Sequence, residues 1–439
     1  MPLNCSTLGF RVPHLPGQQT KVPDTTKLTS TTYVGTCFPT TLRKKLHQNK
    51  SFHIVSQSKF NQNYSPYSPV MEDQREVVVS PAGQETYAQE LDVAVRAVQM
   101  ACSLCQNVPH TTSVLADWSV QVIVSWILCE SFGCLNVSIL AKEDVQSLST
   151  ADATGMLDTV VKTVNECLTE APHFGIKGPE RPLGSSDVLE AISHCNSTGG
   201  HIGRFWALGS VRGDPYSVSL ALIDGGEVVL GVLGCPNYPM KKEWLAYQLR
   251  YHRILSKLAP ATSESWDKGC VIYARKGSGK AWIQPLHQKN KLLTRPNSAN
   301  SVQVSLIDNP GLATFCDPVE KSNSTHSFTA GLSHNHGLRK QPLRVYNTEK
   351  YVAIARGDAE IFMTFTRTGN KEKIWDHAAG VLIIQEAGGV VTDAGGSPLD
   401  FSKGMFIEGL DRGIIASAGA KLHEEIINAI DASWNSSNL

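Results

Sequence analysis

One carboxylate of this sequence stands where a helix is expected to begin. Asp376 lies in the segment Lys373-Ile-Trp-Asp-His-Ala-Ala-Gly380, and the apolar run that follows, Val381 to Ala387, predicts a helix. A helix N-terminus presents free N–H groups and the positive end of the helix dipole, so it attracts anions such as phosphate. A carboxylate beside a bound phosphate can hold a divalent cation between them. The simpler alternative is that Asp376 caps the helix.

A second carboxylate allows the same two interpretations. Asp117 lies in Ser113-Val-Leu-Ala-Asp-Trp-Ser-Val-Gln121, directly before an apolar stretch that predicts a helix from Trp118. Asp117 could cap that helix. Hydrolysis of a phosphate monoester with Mg²⁺ needs a cluster of carboxylates, because the bound ions polarise the phosphoryl oxygens and lower the pKa of an attacking water.

Longer strings around these carboxylates resemble a known family. The strings are EKIWDHAAG, IIQEAGG and TDAGGSPLDF, preceded by KYVAIARGDAEIF. They are similar to the plant 3′(2′),5′-bisphosphate nucleotidases of the inositol monophosphatase superfamily, from about Tyr87 to about Gly419. The resemblance implies Mg²⁺-dependent removal of the 3′-phosphate from 3′-phosphoadenosine 5′-phosphate, which gives AMP and clears a by-product of sulfate assimilation. Inositol monophosphate hydrolysis is a weaker alternative, because KYVAIARGDAE and EKIWDHAAG favour the nucleotidase branch.

The resemblance also assigns residues to roles. Asp117 and Asp376 match metal-binding carboxylates, and Asp117 also matches the group that accepts the proton of the attacking water. His326 and Lys350 match positions that contact the nucleotide and its phosphates. Taken alone, His326 and Lys350 would be interpreted as ordinary exposed polar residues.

Three departures from the family pattern weaken the implied metal site. Lys142 stands where the family has a ligand Glu, and an ammonium group donates but cannot bind a cation. Glu143 is a possible substitute ligand, although neighbouring side chains on an extended segment point to opposite faces. The family's Asp-x-x-Asp-Gly-Thr loop, about seven residues, is missing between Trp206 and Val211, and Thr364 replaces a basic residue. The alternative function is therefore a catalytically impaired, nucleotide-binding member with weakened Mg²⁺ binding.

The intact borders of the gap after Trp206 indicate an exon-junction or gene-model alternative more than gradual drift. Even the loss of a residue that only supports a metal ligand commonly costs about 10–100-fold in metal affinity or activity. The loss of several ligands should cost far more.

The pattern of elements that must position these residues predicts an α/β protein. We predict helices, then a hairpin, then mixed elements, which gives an α+β lobe followed by an α/β lobe. The family resemblance implies that these lobes build a layered αβαβα sandwich. We predict an arm at residues 1–84 and lobes at 85–245 and 246–439. The predicted helices are Glu90–Gln106, Trp118–Ser131, Leu157–Leu168, Ser186–His194, Asp376–Ala387 and Lys421–Ala432. The predicted strands are Tyr216–Ile223, Val228–Gly234, Val302–Ile307, Tyr351–Ala355, Ile361–Phe365, Gly389–Thr392 and Gly413–Ala418.

Charge and composition restrict the partners and the location. Lys plus Arg and Asp plus Glu number 40 each among 439 residues. This balance gives no support for nucleic-acid or membrane binding. The family resemblance implies a small phosphonucleotide as the partner. No apolar run approaches the roughly 18 residues of a spanning helix, and Val120–Cys129 predicts a buried helix.

The N-terminal arm is basic, rich in Ser and Thr and poor in acids, which predicts a chloroplast transit peptide, with a mitochondrial one or a disordered tail as alternatives.

The cysteines indicate a reducing compartment. There are eleven, an odd number without a regular framework of spacings. Cys102 and Cys105 form a CxxC motif inside a predicted helix, which favours core packing over redox chemistry. No second cysteine pair is placed to complete a zinc site with them.

Overall fold

The computed structural model describes residues 86–107, 113–211, 216–240, 268–286, 299–318, 342–346, 348–366 and 371–437. These residues form eight α-helices: α1 (Ala88–Asn107), α2 (Ser113–Phe132), α3 (Val145–Leu148), α4 (Thr154–Leu168), α5 (Ser185–Ser193), α6 (Glu349–Ala355), α7 (Ile374–Glu386) and α8 (Ala420–Ser437). They also form twelve strands: β1 (Ile139–Ala141), β2 (Arg204–Val211), β3 (Ser217–Asp224), β4 (Glu227–Pro239), β5 (Lys268–Arg275), β6 (Ala281–Pro285), β7 (Asn300–Val302), β8 (Phe315–Pro318), β9 (Leu343–Val345), β10 (Ile361–Phe365), β11 (Val390–Asp393) and β12 (Gly413–Ser417). The predicted targeting arm, residues 1–84, and His326 lie outside the described residues, so both remain predictions.

The first sheet has seven strands in the order β1 to β7. β1 pairs with β2 in parallel, and every later neighbour is antiparallel, including the predicted hairpin of β3 and β4. Helices α1 and α2 pack on one face of this sheet, with α4 and α5 against α2. Their apolar stripes meet the alternating apolar side chains of the strands, which forms the first core layer.

Helix α2 is buried on most sides. One window within it, Leu115–Phe132, has the length and apolar composition of a membrane-crossing helix, but 72% of that window is buried inside the chain. Trp118, Ile123 and Leu128 are each at most 2% exposed. The predicted burial of Val120–Cys129 is confirmed, because neighbouring elements surround the helix.

Helices α6 and α7 form the middle layer, between the two sheets. α7 contacts β2 to β6 on one side and β11 on the other. Glycines permit this close approach: a Cβ atom on Gly231 would lie 2.7 Å from the backbone of Ala379, and one on Gly209 would lie 2.7 Å from the carbonyl oxygen of Trp375. The contact at Gly209 sets the start of α7 directly on β2. Asp376, near that start, is positioned by the same contact.

The second sheet has five strands in the order β11-β12-β10-β8-β9, and α8 covers its outer face. Leu422, Ile426 and Ile430 of α8 are buried against Ile415 and Phe365 of the strands. Helices, sheet, helices, sheet and helix therefore follow one another in layers. The predicted α/β class and its αβαβα sandwich are confirmed.

Two predicted elements were wrong. The segment Tyr351–Ala355, predicted as a strand, belongs to helix α6, and all seven residues of that helix are buried. A short apolar run that is buried on every side has no periodicity that distinguishes helix from strand. The strand predicted at Val302–Ile307 is wrong in its bounds, because β7 ends at Val302 and shares only that residue with the prediction.

All described residues belong to one compact unit, Val79–Leu439. The seven-stranded sheet contains strands from both sides of the predicted boundary at residues 245 and 246, because β5 to β7 follow it. The division into two lobes stays a prediction.

A buried histidine in α8 makes stability depend on pH. His423 is 6% exposed, and its Nδ1 and Nε2 atoms lie 3.1 Å and 2.8 Å from the hydroxyl oxygens of Ser417 and Thr392. Burial lowers the pKa of His423 to about 4. Between that value and the ordinary pKa of about 6.5, the unfolded chain binds the proton that the folded chain rejects. The stability from this site is therefore complete above pH 6.5 and is lost as the pH falls towards 4.

We expect His423→Gln to flatten this dependence. The wild-type chain should lose about 2 kcal/mol of unfolding free energy at this site between pH 7 and pH 5, and the variant should not. Urea unfolding at both pH values measures the difference. His173→Gln, at a half-exposed histidine on the surface, is the matched control. Equal pH dependence in the wild-type and His423→Gln chains would contradict the assignment.

Candidate active site

Asp117 lies inside α2, and its side chain is fully buried. Its Oδ1 atom accepts hydrogen bonds from the hydroxyls of Ser210, at 2.7 Å, and Tyr216, at 2.6 Å. Burial, with the nearby charge of Asp117 as a smaller cause, holds the pKa of Tyr216 well above its usual value, so this hydroxyl stays protonated and can donate. Because α2 begins four residues earlier, at Ser113, the interpretation of Asp117 as an N-cap is wrong.

Lys142 follows β1 and lies between two carboxylates. Its Nζ atom is 3.3 Å from Oδ2 of Asp117 and 3.3 Å from Oε1 of Glu143. Gln121 of α2 fixes this segment from both sides: its Nε2 donates to the carbonyl oxygen of Glu143 at 2.8 Å, and its Oε1 accepts from the N–H of Glu143 at 3.2 Å. The ammonium group thus occupies a position between carboxylates where a metal ion would be expected.

Asp376 is the third residue of α7. The N-cap is Lys373, and no side-chain hydrogen bond caps the helix, so the interpretation of Asp376 as an N-cap is also wrong. Burial raises the pKa of Asp376, and the negative charge of Glu372 adds to this effect, while the neighbouring His377 and the positive charges of Lys373 and Lys142 oppose it. The positive charge of Lys142 thus affects Asp376 at the start of α7 as well as Asp117 in α2. Both carboxylates therefore interact with the same ammonium group.

His377, next to Asp376, connects the two middle helices. Its Nδ1 atom lies 2.6 Å from the hydroxyl of Tyr351 in α6, and its Nε2 atom lies 3.0 Å from Oε2 of Glu372. The hydrogen bond from His377 lowers the pKa of Glu372, and burial holds the pKa of Tyr351 well above its usual value. A protonated Tyr351 donating to Nδ1, with Nε2–H donating to Glu372, satisfies both ring nitrogens. The network fixes the first turn of α7 against α6.

Lys350 lies in α6 and is 5% exposed. Its Nζ atom donates to Oγ1 of Thr364 at 3.0 Å and lies 4.8 Å from the ring centroid of Phe362. Lys350, which the family resemblance assigns to substrate binding, lines a narrow cavity. Its hydrogen-bond partner Thr364 stands where the family has a basic residue. Tyr346 and Met363 line the same cavity. The positive charge of Lys350 also helps to lower the pKa of Glu372, which links this cavity to the start of α7.

The place expected for the missing loop is an unbroken strand. β2 pairs with β3 without a register shift from Arg204 opposite Asp224 to Val211 opposite Ser217. Ser210 and Tyr216, which flank the hairpin connection, are the residues whose hydroxyls reach Asp117. Strand β2 thus continues without interruption through this position, and two hydroxyl donors reach Asp117.

The described residues do not fit a two-Mg²⁺ site. Asp117 already accepts from at least three donors, two hydroxyls and one ammonium group. In the part of the chain that the structure describes, carboxylate oxygens of Asp117, Glu143 and Asp376 do not form a group of three that all lie within 4.8 Å of one another. Mg²⁺ requires near-ideal octahedral oxygen ligands, and an ammonium group among them repels it.

The structure brings most of the predicted site residues into one region. Asp117 and Glu143 both form ion pairs with Lys142, whose positive charge also opposes the rise in the pKa of Asp376. Lys350 lines the neighbouring cavity. Four residues that contribute to this arrangement were not assigned from the sequence: Gln121, Ser210, Tyr216 and His377. His377 lies within EKIWDHAAG, and Gln121 ends the segment that contains Asp117, so proximity to these segments was the available signal for both. Ser210 and Tyr216 lie outside the strings that carry the resemblance.

The chain is similar to several known proteins. The inositol monophosphatase family model matches residues 113–435. The 3′,5′-bisphosphate nucleotidase AHL of Arabidopsis thaliana is 54% identical over 373 residues, covering 80% of this chain and 98% of the relative. A 3′(2′),5′-bisphosphate nucleotidase of Oryza sativa is 34% identical over 360 residues, covering 77% and 93%. Among solved structures, a Thermotoga maritima IMPase covers 79% of this chain and 98% of its own, at 17% identity and a TM-score of 0.42. The family model covers most of the chain, and the two relatives match it over most of their own length. This chain therefore belongs to the inositol monophosphatase family.

Proposed function

We propose that the site of this chain takes 3′(2′),5′-bisphosphate nucleotides, with 3′-phosphoadenosine 5′-phosphate as the substrate. The reaction is the hydrolytic removal of the 3′-phosphate to give AMP, which clears a by-product of sulfate assimilation. The observation that carries this proposal is the 54% identity to a 3′,5′-bisphosphate nucleotidase across 98% of its length. Such similarity over a whole relative favours a shared substrate class.

The residues of this chain have identifiable parts in substrate binding. Lys350 supplies a buried positive charge that can hold a phosphate group, and a charge-assisted hydrogen bond in a desolvated cavity is stronger than a neutral one. The ring of Phe362, which lies under the ammonium group, keeps water away from it. Tyr346 and Met363 supply apolar surface at the same cavity.

A second candidate function is nucleotide binding with little turnover. The observation that favours it is the ion pair of Lys142 with Asp117 and Glu143. An ammonium group that neutralises these carboxylates leaves less negative charge to attract Mg²⁺, and so less activation of water. Binding through Lys350 does not depend on this part of the site. The two candidates therefore share a ligand and differ in the rate of hydrolysis.

Titration calorimetry of the full chain tests the shared ligand. We expect 3′-phosphoadenosine 5′-phosphate to bind and AMP, which lacks the 3′-phosphate, to bind at least about 10-fold more weakly, because a charge-assisted hydrogen bond contributes about 1.5–3 kcal/mol. Lys350→Met should weaken binding of the bisphosphate by about 10–100-fold. Lys177→Met, at a lysine whose side chain is 85% exposed, is the matched control and should bind normally.

Two results would contradict the proposed ligand. One is a folded chain that binds inositol monophosphate more tightly than the nucleotide. The other is unchanged nucleotide affinity in a folded Lys350→Met variant. The far-ultraviolet circular dichroism spectrum of each variant shows whether it has folded.

A further inference from the structure

A group of three potential metal ligands lies away from the candidate active site. The Sγ atoms of Cys129 and Cys134 and a ring nitrogen of His194 all lie within 4.8 Å of one another, and within the described residues this is the one such group. Cys129 is twelve residues after Asp117 on helix α2, which places it about 18 Å along the helix axis at 1.5 Å per residue. The group is therefore separate from the carboxylates described above.

Three segments of the chain bring these side chains together. Cys129 lies in the last turn of α2, and Cys134 opens a short 3₁₀ turn, Cys134–Asn136, that follows the helix. Gly133 joins the two with φ of 79°, a conformation that favours glycine, and its N–H donates to the carbonyl oxygen of Cys129 at 2.8 Å. His194 is the C-cap of α5, and its N–H donates to the carbonyl oxygen of Glu190 at 3.1 Å.

The spacing of the ligand atoms fits tetrahedral coordination. With Zn–S bonds of about 2.3 Å and Zn–N bonds of about 2.0–2.1 Å, tetrahedral angles give an S···N edge of about 3.6 Å. The Sγ atom of Cys129 lies 3.7 Å from Nδ1 of His194. The remaining distances, at most 4.8 Å, approach the S···S edge of about 3.8 Å with small side-chain rotations.

Charge and access also suit a thiolate-preferring ion. On binding, the two thiols release their protons to solvent, and the imidazole binds through its unprotonated Nδ1. Two thiolates and a Zn²⁺ ion sum to zero charge, so the buried side of the site at Cys129 carries no net charge. Cys134 is exposed and His194 is half-buried, which leaves an entry path and room for a water molecule as the fourth ligand.

We propose that Cys129, Cys134 and His194 form a binding site for a thiolate-preferring transition-metal ion, with Zn²⁺ as the best fit, and that the bound ion ties the end of α2 to the end of α5. Imidazole and thiolate ligands favour Zn²⁺ over the oxygen-preferring Mg²⁺. The site is thus selective for a different ion from the one that the family's carboxylates bind.

Cobalt substitution in the full-length chain tests this site. In a reducing buffer, one Co²⁺ per chain should give thiolate-to-cobalt charge-transfer bands in the near ultraviolet and strong tetrahedral bands in the visible, and Zn²⁺ should displace both. Cys134→Ser and His194→Ala should weaken binding of Zn²⁺ by more than about 100-fold, because even the loss of a residue that only supports a ligand costs about 10–100-fold.

Two matched variants separate this site from other positions. Cys167→Ser removes a half-buried cysteine outside the group, and Asp376→Asn alters the candidate active site; both should keep the cobalt spectrum. Three results would overturn the proposal: no thiolate bands, bands that persist in both Cys134→Ser and His194→Ala, or a Cys129–Cys134 disulfide found by thiol counting in the reducing buffer. Because Cys134 is exposed, its Ser variant should fold, and circular dichroism verifies this.

Discussion

Restoring Glu at position 142 together with the missing loop is expected to raise phosphate release from 3′-phosphoadenosine 5′-phosphate by at least about 100-fold over the chain as it stands. The change combines Lys142→Glu with insertion of an Asp-x-x-Asp-Gly-Thr loop between Trp206 and Val211. Phosphate release is measured with saturating Mg²⁺. The restored chain regains the carboxylates that hold Mg²⁺, whereas the present chain holds an ammonium group between Asp117 and Glu143.

The two halves of this change can be separated. Lys142→Glu alone removes the ion pair but restores no loop carboxylate, so we expect a smaller gain. Lys177→Glu makes the same charge change at an exposed position and should have no effect. If the present chain hydrolyses the nucleotide as fast as the restored one, it is an efficient enzyme without the loop. The expectation that the ion pairs of Lys142 slow hydrolysis would then be wrong.

Loss of one buried carboxylate is expected to destabilise the fold most strongly. Asp358 follows α6, its side chain is 0% exposed, and its Oδ2 atom accepts from Nε of Arg356 at 2.6 Å and from the hydroxyl of Tyr238 at 2.8 Å. Asp358→Ala leaves the guanidinium group of Arg356, 10% exposed, without its carboxylate partner. An uncompensated buried charge costs about 3–5 kcal/mol, and urea unfolding should show a loss of that size.

A double variant and a surface variant distinguish this effect from a general loss of packing. Replacing the pair with apolar groups, in Arg356→Met with Asp358→Ala, should recover much of the stability, because no unpaired charge remains. Asp308→Ala, which breaks an exposed ion pair with Lys421, should leave stability unchanged. A double variant less stable than Asp358→Ala would show that the guanidinium group stabilises the fold without its partner.

The sequence was sufficient for elements with a clear period and insufficient for contacts between distant segments. Helices α1, α7 and α8 and the β3–β4 hairpin begin and end within a few residues of their predicted bounds, because apolar spacing and turn residues are local signals. Helix α6 was predicted as a strand because its residues are buried on every side. Its Tyr351 ring packs on Gly380 of α7, a contact that no local pattern contains.

The candidate site shows the same limit. The resemblance identified Asp117 and Asp376 and showed that Lys142 cannot serve as a metal ligand. It did not show that Lys142 forms ion pairs with Asp117 and Glu143, because that depends on how α2 packs beside β1. The contact of Ser210 with Asp117 depends on the pairing of β2 with β3. Cys129 and His194 are 65 residues apart in sequence, so their contact was equally hidden.

The ammonium group of Lys142 is a counterion that is covalently part of the chain. A free Mg²⁺ ion leaves such carboxylates when its concentration falls, but a lysine side chain stays with them. The charge of this part of the site is therefore independent of the Mg²⁺ concentration around the protein. A chain that binds phosphonucleotide without rapid turnover would then hold it at constant affinity, as a buffer that releases the ligand when its concentration drops.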